Sequence, residues 1–81
     1  MLWYVTVIGP YDGSFVGPFQ IQQEAKQWAK EMGILKGHIF DFYVSDEDKV
    51  RESLVTMPAG IPYDLQFCNP VQWEHDNVIQ A

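Results

Sequence analysis

Basic residues are scarce in this sequence and unevenly placed. Only five occur (Lys26, Lys30, Lys36, Lys49 and Arg51) against 11 acidic residues, for a net charge of −6. None precedes Lys26 and none follows Arg51. Nucleic acid is held by cations that displace counterions from phosphate, so this balance argues against direct nucleic-acid binding and against an anionic membrane surface. Cysteine occurs once, at Cys68, which excludes an internal disulfide framework. No run approaches the roughly 20 apolar residues of a membrane span. Met1 leads straight into a strand-like segment without a basic n-region or a small-residue cleavage site, so no secretory signal and a cytoplasmic location are expected.

Patterns for cofactors and metals are also missing. There is no Cys-x-x-Cys, His-x-x-x-His or Glu-x-x-His, and Asp46-Glu47-Asp48 lacks the alternation and glycine of a calcium loop. Gly9, Gly13 and Gly17 recur every four residues, but no Gly-Lys-Ser/Thr follows, so they read as hairpin turns rather than a phosphate loop. No metal and no cofactor is expected. Cys68 stands at a strand–helix junction, where a thiol can be acidified, and His38 or His75 would be the partner of a Cys-His pair. No thiol-enzyme signature surrounds it, and a lone cysteine is most often a small buried residue. The expectation is therefore a protein that is not an enzyme.

Aromatic residues are plentiful: three Trp, four Tyr and five Phe in 81 residues, within a 47% apolar chain. That composition excludes disorder, and the length allows one domain. A domain this small buries only about 60% of its unfolded surface. Large rings are an efficient way to make so small a core dense.

Periodicity sets the elements. Leu2–Ile8 alternates as a strand, with Trp3, Val5 and Val7 on one side and Leu2, Tyr4, Thr6 and Ile8 on the other. A turn over residues 9–13 leads to a second strand, Ser14–Phe19, placed at a sheet edge by Pro18. Ile21, Ala25, Trp28, Ala29 and Met32 form one helical stripe. Gly33 is the expected C-cap, and no capping side chain stands at the start. Ile39–Val44 is a strand. Ser45 with Asp48 opens a second helix to about Val55, its first turn carrying Asp46, Glu47 and Asp48. Tyr63–Phe67 is the last strand, and Asn69-Pro70 opens a terminal helix to about Gln80. The order β-β-α-β-α-β-α predicts a small two-layer α+β sandwich, with an antiparallel or mixed sheet of about four strands and two or three helices.

In this arrangement the first helix covers Trp3, Val5, Val7, Phe40, Phe42, Leu65 and Phe67. Leu2, Tyr4, Ile8, Ile39, Tyr43 and Tyr63 remain on the other face. So much apolar surface should not stay wet. Either the terminal helix covers it through Trp73, or another chain does, whether an identical subunit or a different protein. Tyr and Trp suit such contacts because they bury area while keeping a polar tip. The candidate protein-binding residues are Tyr4, Tyr11, Phe15, Tyr43, Asp46, Glu47, Asp48, Tyr63 and Trp73. The acids among them would meet a basic surface on the partner, although negative charge also serves solubility.

Two resemblances bear on function. From Trp3 to Gly33 a strand and the segment Gly17-Pro18-Phe19 lead into a helix carrying Ala25, Ala29 and Gly33. This resembles the first half of a SPOR-type peptidoglycan-binding domain, which would imply a glycan- or small-ligand-binding module. No second Gly-x-Phe follows, so no residue role is carried over. As a compact, acidic, aromatic-rich whole, the chain is also similar to small accessory proteins of bacteriophages. That resemblance implies a protein-binding module, in its sharpest form an inhibitor of a host or defence protein. A homodimeric structural accessory protein is the remaining alternative.

Overall fold

The computed structural model describes residues 1–56 and 65–78. Strand β1 (Trp3–Ile8) turns through Gly9–Asp12 into β2 (Gly13–Phe19), and the amide of Gly9 donates to the Asp12 carbonyl at 2.8 Å. Gly9 is needed here for space. A β-carbon at this position would come within 2.7 Å of the Phe40 ring and 2.8 Å of Asp12 Oδ1. Helix α1 (Gln22–Lys36), strand β3 (Asp41–Asp46), helix α2 (Glu47–Thr56), strand β4 (Leu65–Cys68) and helix α3 (Pro70–Asp76) follow. The fold is α+β, with a mixed four-stranded sheet in the order β3-β1-β2-β4. β1 is antiparallel to both β2 and β3, and β4 runs parallel to β2.

Register decides the two faces. Val5 lies between Val16 and Val44, and Val7 opposite Phe42, so these side chains share the inner face. Ala25, Trp28 and Met32 of α1 pack on it, with Phe19 and with Trp73 of α3. Trp28 and Trp73 meet edge to face at 5.3 Å. Trp73 also stands 5.5 Å from Phe40 and 5.8 Å from Phe42, both T-shaped. Such contacts add about 0.5–1.5 kcal/mol each beyond area burial. The packing leaves the buried Nε1 of Trp28 without an acceptor among the described residues.

Several boundaries differ from the sequence expectation. β2 is interior, not an edge strand. β4 pairs with it only from Gly13 to Val16, so Pro18 lies past the end of that ladder, where its missing N–H costs nothing. The Gly17–Pro18 peptide is cis. Gly33 does not cap α1. A helical glycine costs only about 1 kcal/mol, and the helix continues to Gly37, whose amide donates to the Gly33 carbonyl. The amides of Ile39 and Phe40 close onto the Lys36 carbonyl, so β3 starts at Asp41 rather than Ile39. Ile21 sits exposed at the N-cap of α1 without a capping side chain. The cap of α2 is Asp46, not Ser45: its Oδ1 accepts from the Lys49 amide at 2.8 Å. Asn69 caps α3 as expected, accepting from the Gln72 amide at 2.7 Å, with Pro70 next. Tyr63, and the start of the expected last strand, lie outside the described residues.

Candidate functional site

The outer sheet face is where unassigned aromatic surface remains. Phe67 lies opposite Phe15 in the β2–β4 register and therefore points away from α1, contrary to the expectation that it lines the helix-covered face. Its ring lies 5.1 Å from Phe15 and meets Tyr4 edge to face at 5.7 Å. Cys68 takes the inner position instead, packed against the core. The register against β2 decides which of the two alternating sets faces inward, and the strand's own alternation does not reveal that register.

Two of the expected contact residues are not at the surface. Phe15 is 2% exposed and Trp73 3%. The terminal helix therefore does not cover the outer face. Trp73 anchors α3 among Trp28, Phe40 and Phe42 on the inner side, while Val71 and Val78 are left in solvent. The apolar residues of this helix are spread around its axis, so no stripe signalled which side it would dock on.

Tyr43 and Phe67 remain 55% and 54% exposed on the outer face, with Tyr4 half-buried. Tyr11 stands at the hairpin tip, 87% exposed. Acids line the β3 side: Asp41 begins the strand and Asp46 ends it, and Glu47 and Asp48 open α2. These acids are partly occupied. Asp46 caps the helix, Glu47 Oε1 accepts from the Leu2 amide at 3.4 Å, and Arg51 lies 3.5 Å from Glu47 and 3.9 Å from Asp48. The exposed aromatic and acidic groups of this face suit a flat contact.

The thiol is poorly placed for nucleophilic work. Burial raises the pKa of Cys68, and Asp76 adds to the rise. A hydrogen bond with the Ser14 side chain opposes it. The neutral thiol therefore dominates at neutral pH, the reverse of an activated cysteine. His75 faces Asp76 at 3.5 Å, and His38 lies in the turn after α1. Among the described residues no cluster of three His, Cys, Asp or Glu is arranged to hold a metal ion, and no helix is long and apolar enough to cross a membrane.

Comparison with known proteins finds no matching family model, no matching curated protein and no matching solved structure.

Proposed function

We propose that this protein is a non-enzymatic protein-binding module whose contact surface is the outer sheet face around Tyr4, Tyr43 and Phe67, with the acids of β3 and α2 beside it. One observation carries the reading: Tyr43 and Phe67 stay more than half exposed while the other sheet face packs its rings against one another. Exposed rings beside carboxylates match a partner with an apolar patch and a basic rim. Inhibition of a host or defence protein, as small phage accessory proteins do, is the sharpest form of this role. The raised thiol pKa of Cys68 supports the non-enzymatic part.

The test is affinity capture from lysate of the producing or host cell, at low and moderate salt, with wild type beside a Tyr43→Ser/Phe67→Ser variant. One stoichiometric partner, weakened by salt and lost with the variant, is expected. A partner retained by the variant, or no partner at all, overturns the assignment of this face.

A further inference from the structure

A second surface lies on the helical side of the sheet, away from the face considered above. An open depression of about 460 Å³ runs beside the N-terminal half of α1. Phe19, Ile21 and Trp28 form its apolar floor, and Glu24, Gln27 and Glu31 line it from the helix. The two carboxylates stand two helical turns apart on one side of α1, about 10.5 Å along the axis. Gln27 Nε2 donates to Glu31 Oε1 at 3.0 Å, which holds that carboxylate in place. The Glu24 side chain has no hydrogen bond or ion pair among the described residues. Lys26 and Lys30 share the helix but do not line the depression, so neither neutralises its rim. Ile21 is left more than half exposed.

We infer that this groove docks a short basic–apolar peptide segment of a partner protein, one apolar side chain lying against Ile21 and Phe19 and a cationic side chain reaching each carboxylate. Complementary charge selects this occupant. An apolar floor alone would accept any greasy segment, but two carboxylates on the rim without an ion-pair partner among the described residues reject acidic ones and favour Lys or Arg. Their separation also sets a spacing. In an extended segment every second side chain shares a face, so two basic residues four positions apart stand about 13 Å apart on one side, and their long flexible side chains close the difference to Glu24 and Glu31. The apolar residue then falls between them, over the floor.

A fluorescein-labelled peptide with two arginines four positions apart and a leucine midway between them tests this by anisotropy titration. Weak, salt-sensitive binding to the wild type is expected. Glu24→Lys with Glu31→Lys should weaken it about tenfold or more. Asp12→Lys with Asp76→Lys makes the same change in net charge at exposed positions elsewhere and should leave it within about threefold. Exchanging both arginines for glutamate should abolish binding to the wild type and restore it to the Glu24→Lys/Glu31→Lys variant. Equal loss in the two reversal variants, or equal binding when serine replaces the leucine, overturns the proposal by reducing it to nonspecific charge attraction. Concentration-dependent dimerisation abolished by Ile21→Asp also overturns it, because the groove then belongs to a second copy of the chain. None of these results touches the Tyr43 and Phe67 face, so the two proposals stand or fall separately.

Discussion

The two faces of the sheet use their aromatic residues differently. On the inner face Trp28, Phe40, Phe42 and Trp73 interlock edge to face, and every ring has at least one aromatic neighbour within 6.4 Å. On the outer face Phe15 is buried, but Tyr43 and Phe67 keep more than half of their surface in solvent. Similar side chains thus meet two fates, and the difference separates stability from recognition. A ring enclosed by other rings serves the fold, and truncating it leaves a cavity. A ring left exposed at a cost in solubility is free to serve a contact.

The largest test of that contrast is Trp73→Ala. Removing this anchor should cost about 3–5 kcal/mol, a large share of the stability of so small a domain, and urea denaturation would show it as a collapse of the midpoint. A midpoint near that of the wild type would mean that α3 does not hold the inner face together. Gly17→Ala comes next. The new β-carbon would lie 2.8 Å from the Tyr4 ring and 2.9 Å from the Trp3 carbonyl. That overlap should destabilise by about 1–3 kcal/mol in the same assay. Asn69→Ala removes the cap that starts α3 and should cost about 1 kcal/mol. Tyr43→Ser should shift stability by no more than about 0.5 kcal/mol. A larger loss in thermal melting would show that the outer face is core after all, and the contrast would fail.

Cys68 gives a pH-dependent test. Its pKa is raised in the folded state, chiefly by burial, so at alkaline pH the unfolded chain loses its thiol proton first. The stabilisation from the neutral buried thiol is complete below the unfolded pKa and is lost as pH rises through the folded one. Wild type should therefore weaken relative to Cys68→Ala in strongly alkaline buffer, and the two pH profiles should run parallel near neutrality. Profiles that stay parallel at high pH would contradict the burial effect.

Much of this architecture is legible in the sequence, because local signals point the same way. The alternation of Trp3, Val5 and Val7, the stripe through Ala25, Trp28 and Met32, and the Asn69-Pro70 start each imply their element without tertiary help. What could not be read depends on long-range pairing. Pro18 implied an edge strand, and only the short overlap of β4 with β2 shows how a proline fits an interior one. Phe67 and Trp73 each point to the wrong face in the sequence, because the register of β4 against β2 and the docking side of a single-anchor helix leave no periodic trace. Of the candidate contact residues, Tyr4, Tyr11, Tyr43, Asp46, Glu47 and Asp48 are at least partly exposed in the fold. The groove under Glu24 and Glu31 leaves no sequence signal, because its floor comes from β2 and α1 together. The glutamates alone look like an ordinary solvated helix side.

The strand order carries a consequence for how the chain assembles. β1 and β2 pair through a four-residue loop, whereas Gly13 meets Leu65 from most of the chain away. Closing a long loop costs entropy that a hairpin avoids. The hairpin is therefore expected to form early and β4 late, a sequence that pulsed hydrogen exchange during refolding would reveal as early protection at Val5 and Val16 and late protection at Phe67. The last strand to arrive brings α3 with it, and α3 carries the tryptophan that closes the aromatic cluster. On that order Trp28, Phe40 and Phe42 present a greasy surface to other unfinished chains until α3 docks, so refolding yield is expected to fall as protein concentration rises.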